Sequence, residues 1–330
     1  MTDAPTSRDV ARLAGVAQST VSYVLTGKGA VAPETRERVL RAAETLNYRP
    51  NIAARWMRTR RSGRLAVVMP IVSGNPARFL TGATEAAAAG GFSLEVHSLQ
   101  GGPEARRLRT LEIIESGQYE GVMTPSLISA TGDRDSTAPV VHPIAEFDDQ
   151  MHGTGELIDA RPLKELVAGL VAIGHRRFMH IAGAMDFASA RERKRAYLDA
   201  INNAGVESVA VVTGEWTAKS GYDAVRHDTS LSPPLAVIAA NDSIATGAIR
   251  AAIERGWRVP ADVSVTGWDN LPGGEYQVPS LTTVDIDFET LGLRVVERLI
   301  AEIRDAPPPP QRRVVQRVIW RESTGEAGSA

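Results

Sequence analysis

Short apolar runs alternate with amphipathic helical stretches along residues 64–330, and this alternation restricts the fold more than any other feature. Parallel strands need helical crossovers, so the pattern predicts parallel sheets with helices on both faces, an α/β fold. Such sheets bind ligands in clefts at the carboxyl ends of their strands. The predicted strands are Leu65–Met69, Leu94–Ser98, Gly121–Thr124, Arg177–Ala182, Val209–Thr213, Ala236–Ala240, Val263–Thr266 and Val314–Ile319. The predicted helices are Pro76–Ala89, Glu104–Ser116, Pro162–Ile173, Ala190–Ala204, Ser220–Arg226, Ser243–Arg255 and Glu289–Ile303.

Charge is distributed unevenly between the start of the chain and the rest. Residues 1–61 carry eleven Lys and Arg against five Asp and Glu, whereas the remainder carries 26 against 34, giving the overall net charge of −2. A basic head on an acidic body indicates that only the head meets a polyanion such as DNA. At 330 residues, the chain is long enough for at least two domains.

The absence of cysteine excludes disulfides, thiolate nucleophiles and cysteine-based metal sites. The first residues lack the apolar run of a signal peptide, and no stretch is apolar for long enough to span a bilayer, so we expect a cytoplasmic protein without membrane partners. The chain also lacks a Gly-x-Gly-x-x-Gly fingerprint after its first strand, a Walker loop and a Gly-x-Ser-x-Gly elbow. We therefore expect no enzyme activity, cofactor or metal.

The first fifty residues have the pattern of three short helices. Thr6 and Asp9 form a capping box before the first helix, whose expected apolar positions are Val10, Leu13 and Ala14. After a turn with an inward Val16, a second helix places Val21, Val24 and Leu25 inward and five polar side chains outward, namely Gln18, Ser19, Thr20, Ser22 and Tyr23. The third helix starts at Pro33, with apolar Val39, Leu40, Ala43 and Leu46. The pattern predicts a helix-turn-helix; the alternative is a three-helix bundle with a solvated polar face.

The segment 46–61 adds a second indication of DNA binding. Pro50 ends the third helix, and a short helical stretch rich in arginine follows it. Small alanines beside a protruding Met57 would let this stretch enter a minor groove and wedge a base step. The alternative is a flexible basic linker.

Residues 8–25, 35–39 and 46–51 together resemble the headpiece of the lactose/galactose repressor (LacI/GalR) family. The residues are Arg8-Asp9-Val10-Ala11-Arg12-Leu13-Ala14-Gly15-Val16-Ala17-Gln18-Ser19-Thr20-Val21-Ser22-Tyr23-Val24-Leu25, Thr35-Arg36-Glu37-Arg38-Val39 and Leu46-Asn47-Tyr48-Arg49-Pro50-Asn51. The resemblance implies that the second helix reads the major groove and that the segment after Pro50 is a hinge helix. The implied DNA-binding residues are Ser7, Gln18, Ser19, Thr20, Ser22, Tyr23, Thr26, Tyr48, Asn51, Ala54, Met57 and Arg58. The chain departs from the family where Ala32 replaces a capping serine, Thr26 an asparagine and Met57 a leucine.

Motifs beyond residue 63 resemble the same family. They are Leu170-Val171-Ala172-Ile173-Gly174-His175-Arg176-Arg177, Ala240-Asn241-Asp242, Gly267-Trp268-Asp269-Asn270 and Pro279-Ser280-Leu281-Thr282-Thr283-Val284. The resemblance implies an all-α headpiece followed by a two-lobed core like that of periplasmic sugar-binding proteins, with three crossovers and an effector cleft. The expected domains are 1–49 for the helix-turn-helix, 50–63 for the hinge helix or linker, and 64–330 for effector binding and dimerisation.

The resemblance implies effector-binding roles for Phe79, Asp159, Arg191, Trp216, Asn241 and Asp269. Asn241 and Asp269 have an alternative role in capping turns, and Trp216 has one in core packing. Trp268 is expected to pack, His175 and His180 have no partner at zinc-like spacing, and the acids Glu146, Asp148 and Asp149 are expected to form a solvated loop.

The predicted function is that of a dimeric repressor that binds a pseudo-palindromic, double-stranded operator under the control of a mono- or disaccharide. A nucleoside or phosphorylated sugar remains an alternative effector, and both induction and co-repression remain open. The rival classes are a solute-binding protein without gene control, against which the headpiece counts, and an oxidoreductase on a doubly wound sheet, which would need a dinucleotide fingerprint.

Overall fold

The computed structural model describes residues 5–26, 30–48, 61–69, 76–125, 138–148, 152–310 and 312–328. The chain divides into two compact units, Met1–Ser62 and Gly63–Ala330. The predicted residues Asn51, Ala54, Met57 and Arg58, and most of the predicted hinge, lie outside the described residues.

The small unit consists of three helices, α1 (Ser7–Ala14), α2 (Gln18–Thr26) and α3 (Pro33–Thr45). The backbone N–H and the hydroxyl of Thr6 both donate to the Asp9 carboxylate, at 2.9 and 2.7 Å, which fixes the start of α1. α1 ends at Gly15, whose φ of 63° favours a residue without a Cβ. Ala32 precedes α3 without a side-chain cap, as its methyl group requires.

Valines and alanines form the core of the small unit. The predicted positions Val10, Ala14, Val21, Val24, Val39 and Ala43 are buried, and so are Ala11 and Ala42, which the spacing did not single out. The prediction that Leu13 and Leu40 are also inward is wrong, because about half of each side chain is exposed. Each is next in sequence to a buried residue, and a step of one residue on a helix turns the side chain by about 100°. Each short helix buries only a narrow strip of its surface, and Leu13 and Leu40 lie just outside that strip.

The large unit contains two four-stranded parallel sheets and one two-stranded antiparallel sheet among the described residues. The first lobe has the order β2-β1-β3-β4, and the second lobe has the order β6-β5-β7-β8. The strands are β1 (Arg64–Met69), β2 (Ser93–Ser98), β3 (Gly121–Thr124), β4 (Val140–Pro143), β5 (Arg177–Ala182), β6 (Glu207–Thr213), β7 (Leu235–Ala239), β8 (Val263–Thr266), β9 (Thr283–Ile286) and β10 (Gln316–Ile319). The two parallel sheets confirm the predicted fold class.

The helices of the large unit alternate with these strands. They are α4 (Pro76–Ala89), α5 (Pro103–Glu115), α6 (Arg161–Ala172), α7 (Ala188–Ala204), α8 (Ala218–Arg226), α9 (Asp242–Glu254), the short α10 (Pro272–Tyr276) and α11 (Phe288–Ile303), with a 3₁₀ turn at Gly155–Ile158. Their bounds lie within two residues of the predictions for all seven predicted helices. The sequence pattern missed β4 and β9, which are only four residues long, and α10, which is five.

The chain passes between the lobes at three places. The first is the segment between β4 and α6, the second leads from β8 to β9, and the third follows β10 back to the second lobe. β9 and β10 pair in antiparallel register, with Asp285 opposite Arg317. After β10, the chain returns to the second lobe, where the Val265 N–H donates to the Ser323 carbonyl at 2.8 Å.

Helices α4 and α11 approach closely at two glycines. A Cβ on Gly82 would lie 1.9 Å from the Glu289 carbonyl oxygen, and one on Gly292 would lie 1.9 Å from the Phe79 carbonyl oxygen. The two backbones therefore pack without an intervening side chain. Leucine and valine side chains of α11, including Leu291, Val295 and Leu299, complete the core of this lobe.

The acidic segment near residue 146 is not the solvated loop that the sequence predicts. Glu146 accepts a hydrogen bond from Arg294, whose side chain is almost fully buried. Arg294 also donates to Glu156 at 2.9 Å. Asp148 accepts from the His152 N–H at 2.8 Å, and Asp149 lies outside the described residues. A buried arginine on α11 thus holds the first crossover segment, a partner that sequence spacing does not reveal.

Candidate functional site

The outer face of α2 carries the residues that the sequence assigns to DNA. Val21 and Val24 are buried, which turns Gln18, Ser19 and Tyr23 outward, and Tyr23 is 52% exposed. The Gln18 side chain donates to the Ser7 hydroxyl at 2.8 Å, which links α2 to the first residue of α1. The face presents hydroxyl, amide and phenol groups, which are suited to base edges and phosphates.

Four further DNA-binding candidates belong to the small unit, three of them on α2. Thr20 and Ser22 are half-buried on α2, and Thr26 is its last residue. Tyr48 packs against the core of the small unit, so only part of its ring is exposed. This position leaves the Tyr48 phosphate contact a prediction and gives the side chain a packing role as well.

Four strands of the second lobe end at one edge, and candidate effector residues follow each of them. Phe187 and Arg193 come after β5, and Trp216 comes after β6. Asn241 follows β7, and Asp269 follows β8. Because the strands are parallel, their carboxyl ends meet at the same edge of the sheet, where α/β proteins bind ligands.

Arg193, two residues after the predicted Arg191, is the arginine that is buried at this edge. Arg191 is exposed and donates to the carbonyl oxygens of Met185 and Asp186, at 2.8 and 2.7 Å. Arg193 is buried, donates to the Ala240 carbonyl, and lies over two indole rings. Both arginines belong to the same Arg-Glu-Arg run on α7, where only helical phase distinguishes the inward side chain from the outward one.

The Arg193 guanidinium is enclosed by aromatic rings and acids. It lies 4.2 Å from the Trp268 ring centroid and 5.7 Å from that of Trp216. Burial lowers the pKa of Arg193 to about 10, and the neighbouring Asp269 and Asp242 oppose that shift. Arg193 stays charged at neutral pH. Trp268 is buried, as predicted, and its ring supports the arginine.

Asp269 lies beside Arg193 in a strained turn. Its φ of 108° is in the region that favours glycine, and its N–H donates to the Val284 carbonyl at 2.9 Å. Desolvation raises the pKa of Asp269 to about 7, with Asp242 adding to the rise and Arg193 opposing it. Within the described part of the chain, no side chain donates a hydrogen bond to this carboxylate, which leaves it available to a ligand.

Asp242 is a buried acid that the sequence analysis missed. Its carboxylate accepts from the Thr283 hydroxyl at 2.5 Å and from the Leu271 N–H at 2.7 Å. Burial raises the pKa of Asp242 to about 6. Its place in the Ala-Asn-Asp motif could have identified it from the sequence. Asp242 therefore links the turn that carries Asp269, through the Leu271 N–H, to Thr283 on β9.

Asn241 caps α9, the alternative role that the sequence left open. Its side-chain oxygen accepts from the Ile244 N–H at 2.8 Å. Its side-chain nitrogen donates to the Trp216 carbonyl at 3.3 Å. These bonds use the oxygen and one N–H, so one N–H remains for an effector. Any effector contact of Asn241 is therefore secondary to a structural role.

Trp216 belongs to a row of aromatic rings. Its ring centroid lies 5.4 Å from that of Phe187 in an edge-to-face arrangement, and the His152 ring lies 3.8 Å from Phe187. Gly183 makes room for the indole, because a Cβ there would lie 2.5 Å from the ring. The buried Trp216 Nε1 has no hydrogen-bond partner among the described residues. Sequence reasoning missed Phe187 and His152, whose proximity arises only in the fold.

The structure does not place Phe79 and Asp159 in this cluster. Phe79 is buried in the first-lobe core against Phe147, with ring centroids 6.5 Å apart, and its role as an effector contact stays a prediction. Asp159 accepts from the Arg161 N–H at 3.0 Å and from its side chain at 2.6 Å. Desolvation raises the pKa of Asp159, but these bonds outweigh it, and the pKa lies below its usual range. Its oxygens are committed to Arg161.

The part of the chain that the structure describes holds no group of three His, Cys, Asp or Glu arranged for a metal ion. His175 bonds to the Ser264 hydroxyl at 2.9 Å, and His180 to the Ile238 carbonyl at 2.8 Å. Burial lowers the pKa of His180 to about 4. Both histidines serve packing.

Over the same described residues, no helix combines the length and the apolar character needed to cross a membrane.

Two family models match the chain. The model of bacterial regulatory proteins of the lacI family matches residues 6–51, and the model of the periplasmic binding protein-like domain matches residues 167–324. The first match contains α1 to α3, and the second contains Phe187, Arg193, Trp216, Asn241 and Asp269. The two matches lie in different compact units, and residues 52–166, which include β1 to β4 of the first lobe, fall outside both.

Known proteins of the same kind align along almost the whole chain. The HTH-type transcriptional regulator CelR of Thermobifida fusca is 30% identical over 351 residues, covering 97% of this chain and 98% of that protein. The crystal structure of the Lac repressor dimer bound to operator and the anti-inducer ONPF has a TM-score of 0.72 at 26% identity, covering 97% and 99% of the two chains. The CelR–cellobiose complex has a TM-score of 0.58 at 29% identity, with the same coverage.

Proposed function

The chain belongs to the LacI family of bacterial regulatory proteins, and we propose that an unphosphorylated sugar held by Arg193, Asp269 and Trp216 controls its binding to DNA. It is a DNA-binding transcriptional regulator and, like its relatives, a repressor. The observation that carries the proposal is the meeting of a buried arginine, an uncommitted carboxylate and an indole at one sheet edge.

These three groups match the chemistry of a sugar ring. The guanidinium donates to hydroxyl oxygens, and the Asp269 carboxylate accepts from hydroxyl hydrogens. The indole of Trp216 offers a flat apolar surface for the C–H face of a pyranose. A sugar effector also agrees with the cellobiose complex of the related CelR.

The charge balance of the edge favours a neutral effector over a phosphorylated one. Arg193 faces two acids, Asp269 and Asp242, and its own charge is partly offset by them. A phosphate would bring about two negative charges into a region that already holds two carboxylates. We therefore propose a neutral mono- or disaccharide, with nucleosides as the less favoured alternative.

The headpiece would bind DNA through α2. We propose that Gln18, Ser19 and Tyr23 read base edges in the major groove, while Thr20, Ser22 and Tyr48 contact phosphates. The segment 50–63 would act as the hinge that joins the DNA-binding headpiece to the effector-binding unit. A protein that acts on chromosomal DNA works in the cytoplasm, and no enzymatic step is needed for this role.

A dimer would use an apolar patch on the second lobe. Tyr276 and Val278 are 81% and 90% exposed, and Ile253 on α9 is also exposed. Thr246, two helical turns before Ile253, donates to the Gln277 side chain at 3.3 Å, so α9 and this loop are adjacent. We propose that the patch pairs with its copy, which would place two headpieces on the half-sites of a pseudo-palindromic operator.

A genome-wide DNA pull-down with the purified chain, followed by a sugar panel, tests this function. The best recovered site is titrated in the presence of glucose, cellobiose and glucose 6-phosphate. We expect a palindromic site whose affinity changes with glucose or cellobiose and does not change with glucose 6-phosphate. The sign of the change distinguishes induction from co-repression. A response to the phosphorylated sugar alone would contradict the proposed effector class.

A further inference from the structure

One oxygen atom of Asp285 accepts hydrogen bonds from both lobes. Asp285 lies on β9, in the second crossover between the lobes, and is almost fully buried. Its Oδ1 accepts from Arg78 Nη1 at 2.6 Å and from Asn270 Nδ2 at 3.1 Å. Arg78 is in the first turn of α4 in the first lobe, and Asn270 follows β8 in the second.

The partner on the second lobe is next to the proposed effector contact. Asn270 follows Asp269 directly, and both have positive φ angles, 108° and 49°. The Asn270 side-chain oxygen also accepts from Arg321 at 3.0 Å. The turn that presents Asp269 is thus held in part by Asp285 and Arg321, through Asn270.

The other oxygen of Asp285 is held by the neighbouring crossover strand. Arg317, its register partner on β10, approaches Oδ2 at 3.2 Å through Nη2. A buried carboxylate that pairs with two arginines and an amide is stable only while these partners stay in place. A relative rotation of the lobes that separates Arg78 from Asn270 must break one of the two bonds to Oδ1.

From this geometry we infer that Asp285 is a positioning residue that couples the turn carrying Asp269 to helix α4 of the first lobe. Within the described part of the chain, no hydrogen bond joins Arg78 to Asn270 directly, and Asp285 links the two. A ligand that moves the Asp269 turn therefore changes the free energy of the Arg78 bond, and the coupling is reciprocal. This consequence for regulation rests on the proposed effector role of Asp269, whereas the link itself does not.

Hydrogen–deuterium exchange on the full-length chain tests the link without sugar or DNA. The backbone amides of Gly267 and Asp269 are bonded to the carbonyls of Thr282 and Val284, so their exchange reports opening of the turn. We expect Arg78→Gln, a change on the first lobe, to speed exchange of these second-lobe amides by about tenfold. Asn270→Ala should likewise speed exchange in the second turn of α4, whose amides are the first to have acceptors within the helix.

Glu289→Gln is the matched control. Glu289 is the other acceptor of Arg78, at 3.4 Å from its Nε, and it is largely exposed. This change leaves the Asp285 bond intact, so exchange of the turn should stay as in the unsubstituted chain. Asp285→Asn, which keeps the shape and removes the charge, should affect both lobes together.

The inference is overturned if Arg78→Gln speeds exchange in α4 alone and leaves the Gly267 and Asp269 amides unchanged. Equal effects of Arg78→Gln and Glu289→Gln on the turn would overturn it as well. If Asp285→Asn does not fold, the Arg78 and Asn270 variants still decide the question. Because the measurement uses neither sugar nor operator, its failure is distinct from failure of the proposed function.

Discussion

The Arg193 guanidinium lies over the Trp268 ring, 4.2 Å from its centroid. This contact explains how a buried arginine keeps a fixed position when the Ala240 carbonyl is its one acceptor among the described residues. The remaining donors of the guanidinium fork are available to hydroxyl oxygens. Trp268 is therefore a support for the cleft as well as a core residue.

Arg193→Gln is expected to weaken binding of the sugar selected by the panel by about ten- to a hundredfold, because hydrogen bonds to a charged group contribute about 1.5–3 kcal/mol. Titration of intrinsic tryptophan fluorescence measures it, since Trp216 and Trp268 flank the arginine. Arg191→Gln is the control and should leave the affinity unchanged. If Arg191→Gln weakened sugar binding and Arg193→Gln did not, Arg191 would be the effector-binding arginine.

Asp269→Asn is expected to change how stability depends on pH. The pKa of Asp269 is raised from 3.8 to about 7, so the folded state holds a proton that the unfolded state has lost between those values. The free energy of unfolding therefore falls as pH rises from about 4 to about 7, and Asp242, with its pKa raised to about 6, acts in the same direction. The asparagine variant should lose much of this slope and gain about 1–2 kcal/mol at pH 8. Urea denaturation across this pH range measures it, and an unchanged slope would contradict the assigned burial.

Gly82→Ala is expected to destabilise the first lobe. The added Cβ would lie 1.9 Å from the Glu289 carbonyl oxygen, so α4 and α11 must separate, at a cost of about 1–3 kcal/mol. Urea denaturation followed by circular dichroism measures the loss. Gly102→Ala, where a Cβ meets nothing within 4 Å, is the control. Similar stabilities of the two variants would show that the helices do not approach so closely.

Paired substitution of Tyr276 and Val278 by aspartate is expected to dissociate the dimer. Burial of two exposed apolar side chains stabilises an interface, whereas two carboxylates facing their copies repel each other. Sedimentation velocity measures the oligomeric state. Leu198→Asp, at an exposed leucine on α7, is the control and should remain dimeric. A dimeric Tyr276/Val278 variant would place the interface elsewhere.

The order of most strands and helices was predictable from sequence because their apolar runs lie between turn signals. Gly121–Thr124 and Arg177–Ala182 are apolar runs between turn signals, and the structure has them with the predicted bounds. β9 was not predictable, because Thr283–Ile286 contains an acid whose partners, Arg78 and Asn270, are distant in sequence. Leu13 and Leu40 show the converse case, in which an apolar side chain lies just outside a narrow buried stripe.

The sequence motifs predicted where the candidate site lies, but they predicted less well which side chains form it. Asp269 and Trp216 lie at the edge where their motifs place them, whereas Phe79 is a core residue. Arg191 and Arg193 have the same chemistry, and only the packing of α7 decides which one is buried. The row from Trp216 to His152 joins loops that no local pattern connects.

The most direct test of the account is a fluorescence-anisotropy titration of the best recovered site by the full chain, with and without cellobiose or glucose. The account predicts binding about a thousandfold tighter than to a scrambled site of equal length, and a change of about five- to 150-fold with one of the sugars. Tyr23→Ala, on the exposed face of α2, should alter which site is preferred. Weak, salt-sensitive binding that is equal on both DNAs and indifferent to sugar would contradict it.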